Sequence, residues 1–256
     1  MTAWNDIPDA STGLASPRAL DCGAFMAWAS VAELPAETLA PAEAALADGV
    51  RSARRRRELL AGRLAARRAL RAAGLEAGPV LRDDSLPRFP AGTAGSIAHS
   101  GGVAVAIAAP LSAVVTVGVD LEVGRSGLAA GPARLLCAAA ERRGLSPGEA
   151  PRALLELACA REALYKAACM AGAHRPRLCD VRCTRVPGGV EAVLMRDVAP
   201  GLPRALRVCV NVDRLGDRLV ASVVVRKGAR RGEWGRSLHR AGTPLRSHRL
   251  TTAVTR

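Results

Sequence analysis

Aromatic side chains are nearly absent, at 2% of the 256 residues. The core must therefore be built mainly from Ala, Val and Leu, and platforms for stacking nucleic-acid bases are scarce. Lysine is almost missing too. It occurs only at Lys166 and Lys227, so the net charge of +14 is nearly all arginine. The seven cysteines are odd in number and form no CxxC pair, which argues against a disulfide framework and suits a reducing compartment. The group Cys169, His174, Cys179 and Cys183 matches no common zinc-finger spacing. The opening MTAWNDIPDASTG has neither a basic start nor an apolar run, so no signal peptide is expected and the location is expected to be cytoplasmic. One uncharged run of membrane length exists, Gly101–Val119, but Ala-Pro-Leu-Ser falls in its middle. Two β-branched strands joined by a turn at Pro110 are expected there, with no membrane span.

What is present is a strongly basic chain, and such a balance favours polyanionic partners without choosing among them. Residues 1–19 read as an irregular lead-in. An Ala/Glu-rich helix is expected over 36–48, and a stronger one over Arg51–Ala73, stopped by Gly74. At a 3.6-residue period Leu59, Gly62, Ala66, Ala69, Leu70 and Ala73 share one side of it. Arg56, Arg67, Arg68 and Arg71 fall largely opposite, and Arg63 sits on the border. Residues 78–102 are dense in Pro and Gly and read as loop carrying His99. The strand pair 103–109 and 113–122 follows, then helices near 132–143 and 151–171. Strands near 190–195 and 206–225 close the fold, the second splitting into a hairpin at Leu215-Gly216. Residues 227–256 read as a basic, disordered tail. Helices and antiparallel hairpins alternate in two blocks, 20–115 and 116–226. The expected class is α+β with two similar lobes, each a small antiparallel sheet packed with helices, related by a pseudo-two-fold within a single chain.

Three short stretches carry chemistry. In GVDLE, Asp120 and Glu122 stand at i and i+2 of a strand and so face the same way. Two carboxylates side by side repel and resist desolvation; a divalent cation such as Mg²⁺, which favours hard oxygen ligands, cancels that cost. A solvent-facing strand end with Arg125 beside it accounts for the pair equally well. In REALYK, Glu162 and Lys166 are i,i+4 neighbours on a helix, an arrangement that also suits an ordinary ion pair. Yet Lys166 is the lone lysine of the expected folded region, and a compact ammonium approaches phosphate as a point charge. In GSIAHSGG, His99 can donate to phosphate where glycines allow close backbone approach.

Taken in this order, GSIAHS, GVDLE and REALYK resemble the 4′-phosphopantetheinyl transferases, of the larger two-lobed type that serves siderophore, peptide and polyketide synthases. The family pattern is a Ser/Thr-His loop, then G-[VI]-D-x-E, then an aromatic-Ser-x-Lys-Glu-[AS]-x-x-Lys helix. RRRRELLAGR and LPRFPAGTAGS are similar to the family's lead-in segments, so the likeness runs from about Arg54 to Lys166. The resemblance implies that Asp120, Glu122 and Glu162 hold Mg²⁺ against the pyrophosphate of coenzyme A. It implies further that Glu162 serves as base for an incoming serine hydroxyl and that Lys166 neutralises the phosphate under attack. His99, Arg55, Arg63 and Arg82 would bind the cofactor's phosphates. The reaction implied moves phosphopantetheine from coenzyme A to a serine of an acidic acyl or peptidyl carrier protein and releases 3′,5′-ADP, the enzyme acting as a monomer. The chain departs from the pattern at Ala98, Ala158, Cys159 and Arg161, where the family has a hydroxyl, an aromatic, a serine and a lysine. The alternatives are a relative that binds coenzyme A or the carrier without transfer, and a basic nucleic-acid-binding protein built on helix 51–73 and the tail. The second has few aromatic residues for stacking on bases and no recognisable binding motif.

Overall fold

A computed structural model describes residues 16–34, 39–123, 137, 139–142, 145–146, 148–173 and 176–228. The expected lead-in over 1–15, most of the helix near 132–143, and the tail from 229 onward lie outside the described residues. The fold is α+β, with two lobes of antiparallel sheet and helix. In the first lobe, β1 (Arg18–Ala19), β2 (Phe25–Ser30), β6 (Val103–Pro110) and β5 (Thr93–Ser100) form a sheet in that order. A separate ribbon pairs β3 (Leu81–Asp83) with β4 (Leu86–Arg88). Helices α1 (Pro41–Asp48) and α2 (Ala53–Ala72) complete this lobe. In the second, β7 (Val114–Val123), β11 (Arg218–Arg226), β10 (Arg207–Leu215), β9 (Gly189–Leu194) and β8 (Val181–Val186) follow one another across the sheet. It carries α3 (Ala139–Arg142) and the long α4 (Ala150–Met170).

The layers follow from alternation along the strands. Ala104, Ala106 and Ala108 of β6 meet Ala61, Ala65 and Ala69 of α2, small side chains that let helix and sheet approach closely. Val105 and Ile107 point the other way, into a core shared with Val117, Val119 and Leu121 of β7. The opposite face of the second sheet, with Ala221 and Val223, packs under Ala163 and Ala167 of α4. The order is helix, sheet, sheet, helix, and the two sheets bury each other's inner faces.

Two expectations change here. The runs 103–109 and 113–122 are both strands, but they are not partners. β6 pairs with β2 and β5 on its two sides, while β7 pairs with β11, so the turn after Pro110 carries the chain from one sheet to the other. An interior strand with both ladders filled has no edge left for its sequence neighbour. The stretch GSIAHS is also strand rather than loop, since Thr93–Ser100 forms a full ladder with β6. Gly95 suits that strand for a packing reason: a Cβ there would overlap the Phe89 ring. β5 and β7 are the facing edges of the two sheets, and Ser96 Oγ accepts a hydrogen bond from Val119 N at 3.2 Å across the seam. Across that seam His99 comes within electrostatic reach of Lys166, the partner of Asp120. Helix α2 is capped by Ser52, whose Oγ accepts from Arg55 N. Its basic face is less solvated than the periodicity suggests: Arg67 pairs with the fully buried Glu43, and Arg68 donates to Trp28 O at 2.7 Å.

Candidate active site

The acidic half of the site is built by close approach of α4 to β7. Thr116 Oγ1 donates to Ala167 O at 2.8 Å, and two residues along a Cβ on Gly118 would overlap the carbonyl oxygen of Ala163. The glycine of GVDLE is therefore where helix backbone rests on strand backbone. Two residues further, on the same face, stands Asp120, 5% exposed. Its Oδ1 accepts from Lys166 Nζ at 2.6 Å, and its Oδ2 is buried without a hydrogen-bond partner. Behind it lies the fully buried Cys159, whose thiol is pushed well up, first by burial and then by the Asp120 charge.

Glu122 follows on β7, and Glu162 stands one turn before Lys166 on α4. Glu122 reaches solvent, yet crowding by protein around its carboxylate is the largest push raising its pKa; Asp120 adds to it, Lys166 opposes it and Glu162 adds again. Burial likewise leads in raising Glu162, with Asp120 next and Lys166 and Arg161 opposing. Asp120 and Glu122, one residue apart on the strand, thus repel each other, and Glu162 on α4 adds to that repulsion. Among the described residues no three His, Cys, Asp or Glu side chains are drawn together at metal-binding spacing, and Lys166 is the cation that Asp120 holds.

The basic half is a hollow of about 810 Å³ beside the seam. Arg51, Arg54, Arg55 and Arg82 line it, with His99 and Glu58. It opens at the N-terminus of the 20-residue α2, whose first turn contains no acidic residue. A helix N-terminus carries partial positive charge and ordinarily recruits Asp or Glu. Arginines placed there add to the repulsion, and an anion relieves it. Arg55, Arg82 and His99 are hence brought together. Arg63 is not: it is 6% exposed, outside this lining, and donates from Nη2 to Leu81 O at 3.1 Å, at the start of β3. Burial lowers its pKa more than Glu43 raises it. Its place is beneath the strand that presents Arg82. Arg63→Ala leaves the Leu81 carbonyl without that donor, at a cost of about 1–3 kcal/mol. A lower melting temperature is expected together with any weakening of anion binding in the hollow. Weaker binding at an unchanged melting temperature would mean that Arg63 reaches the ligand itself.

Three contributors were not read from the sequence: Arg51, Arg54 and Glu58. Glu58 is 5% exposed; its Oε1 takes Arg54 Nη1 at 3.3 Å, and its Oε2 lies 3.6 Å from His99 Nδ1. The i,i+4 relation of Arg54 and Glu58 was legible, but not that His99 lies on its other side. Burial pushes the His99 pKa down, Glu58 pushes it up, and Lys166 and Arg54 push it down again. Glu58→Gln removes the upward push, so His99 should take its proton at lower pH than in the parent, as histidine NMR would show. If protonated His99 grips an anion, affinity strengthens as pH falls through its pKa, and the variant's rise is displaced to more acidic pH. An unmoved His99 titration would contradict this coupling.

The departures from the family pattern are all placed. Ala158 is buried in the core of the second lobe. Arg161 is 2% exposed and turned away from the acids: it pairs with Glu141 on α3 and donates to Val181 O at 3.2 Å on β8. Ala98 is buried against the seam.

Residues 42–109 match the family model of the 4′-phosphopantetheinyl transferase N-terminal domain. No curated protein matches the chain. The matched stretch contains the entire lining of the hollow, while Asp120, Glu122, Glu162 and Lys166 lie beyond it. The match supports the phosphopantetheinyl transferase superfamily. Among the described residues, no helix is long and apolar enough to cross a membrane.

Proposed function

We propose that the chain is an Mg²⁺-dependent 4′-phosphopantetheinyl transferase of the larger, two-lobed type, acting as a cytoplasmic monomer on acidic acyl or peptidyl carrier proteins. One observation carries it: an arginine-lined hollow at a helix N-terminus stands beside the seam between β5 and β7, where Lys166 holds Asp120, and Glu122 and Glu162 follow on the same strand and helix. Coenzyme A supplies the matching anion, with the hollow taking its phosphates through Arg54, Arg55, Arg82 and His99.

The donor set fits Mg²⁺. All three groups offer hard oxygens, Asp120 Oδ2 is buried with no partner, and Glu122 and Glu162 are biased toward protonation first by burial and then by Asp120, whose charge a divalent cation would offset. Asp120, Glu122 and Glu162 would hold the ion, and when bound it supplies charge neutralisation at the pyrophosphate. Glu162, facing the same site, takes the proton of the carrier serine hydroxyl. Lys166, one turn away, exchanges Asp120 for the phosphate under attack. The hollow fixes the remainder of the donor so that serine oxygen and phosphorus meet in line; positioning and charge neutralisation dominate such a transfer. The leaving group is 3′,5′-ADP. Incubation with coenzyme A, Mg²⁺ and an apo carrier should release 3′,5′-ADP in proportion to carrier consumed, and omission of any one component should stop it. Release that ignores the carrier would mean hydrolysis instead of transfer.

A further inference from the structure

A second arginine cluster stands at the same end of the second sheet as the acids. Residues of β7 that point to α4 include Asp120 and Glu122; Glu122 pairs across to Leu219 of β11, and Leu219 to Arg214 of β10. Arg214 shares its strand face with Val210 and Val212, which pack in the core under α4. Arg185 of β8 likewise shares its strand face with Val181 and Cys183 of that core. With strands about 4.8 Å apart, Arg214 lies about 10 Å from Glu122 across the sheet. Arg152, in the first turn of α4, closes a notch of about 120 Å³ with Arg185, Arg214 and Glu156.

The charges in the notch do not balance. Glu156 is the one carboxylate lining it, against three guanidinium groups. Arg152 and Arg185 each use Nε, at 2.9 and 3.0 Å, on its two oxygens, while their side chains stay about half exposed, at 55% and 44%. Glu156 thereby fixes two guanidinium groups and leaves their terminal nitrogens for another anion. Glu156 is itself nearly buried, so Arg152 and Arg185 serve the fold by compensating its charge, but Arg214 makes no ion pair among the described residues and folding gives weak reason for a third arginine here. The acids of the candidate site lie between this notch and the hollow on the first lobe.

We infer that Arg152, Arg185 and Arg214 form the docking contact for the protein acceptor, gripping acidic side chains on the surface that carries its serine. The inference rests on the transferase reading and adds where the acceptor sits. An acceptor anchored there holds its serine within reach of Glu162, while the donor occupies the hollow without competing. Charge complementarity at exposed residues acts chiefly on encounter and falls with salt.

The test is Arg185→Gln with Arg214→Gln, assayed by transfer to an apo carrier protein and to a short serine peptide without acidic residues. A rise of about tenfold in KM for the carrier, with a flatter salt dependence, is expected. KM for coenzyme A and the rate with the peptide should not move. Arg214→Gln alone breaks no ion pair and guards against a folding defect; it should show the same change, smaller. Arg214→Glu should regain activity with a carrier in which an acidic surface residue is changed to lysine. An unchanged carrier KM would overturn the docking contact while parental transfer still stands. A raised KM for coenzyme A would overturn it too, by assigning the notch to the donor. Absence of transfer by the parent protein to any acceptor would bring down the transferase reading and this inference with it.

Discussion

Asp120→Asn should lower phosphopantetheine transfer by about a hundredfold or more, the scale on which losing one charge-stabilising group in a closed site acts. Its fold should survive. Asparagine keeps the shape, and Lys166, with 31% of its side chain exposed, can turn to water when its partner loses charge. The stability change should therefore be small beside the loss of rate. Coenzyme A binding should change much less than the rate, because the hollow belongs to α2, β3 and β5 and not to β7. That split separates the assignment from a structural role, which would move the melting temperature and both kinetic constants together. Full activity in Asp120→Asn, with unaltered Mg²⁺ dependence, would remove the acids from the mechanism.

Gly118→Ala should be the most damaging glycine-to-alanine change among the described residues. The added carbon overlaps the Ala163 carbonyl and falls 2.9 Å from the Ala167 Cβ, so backbone must move and no side-chain rotation relieves it. Overpacking of a buried contact costs about 1–3 kcal/mol, and a clash with backbone belongs at or above the top of that range. Activity should fall further than stability. Displacing α4 moves Glu162 and Lys166 together relative to Asp120, and a misplacement of about 1 Å is enough for a loss near a hundredfold. Gly49→Ala is the control. It has φ −76° and open space around it, so alanine there should leave the melting temperature unchanged or raise it slightly. Equal melting temperatures for the two variants would show that α4 does not rest on Gly118.

The acids were legible because a strand's period of two is rigid: once TVGVDLEV is a strand, Asp120 and Glu122 must share a face. The spacing of Glu162 and Lys166 was legible for the same reason on a helix. The hairpin of β10 and β11 was given away by Gly216 at its tip. Other features depend on which element lies opposite, and local pattern does not encode that. The helical period put Arg63 at a border, but only β3 lying over it buries the side chain. Arg51 and Arg54 were not singled out by the helical period; only β5, bringing His99 beside them, gathers them into the hollow. The turn after Pro110 looked like a hairpin because sequence neighbours usually pair; here β2 and β5 had already filled both sides of β6. Strands β2 and β8 went unread. FMAWAS has no β-branched residue, and VRCTRV is short and charged on its open face. Arg161 resembled a functional lysine position; a helix was expected around Glu141, but not that it packs where Glu141 meets Arg161.

The most direct measurement is the intact mass of an apo carrier protein after incubation with the purified chain, coenzyme A and Mg²⁺. The account predicts a gain of one phosphopantetheine per carrier, abolished by EDTA and by replacing the acceptor serine with alanine. An unchanged mass across several carriers, with the protein folded and coenzyme A bound in the hollow, would contradict it.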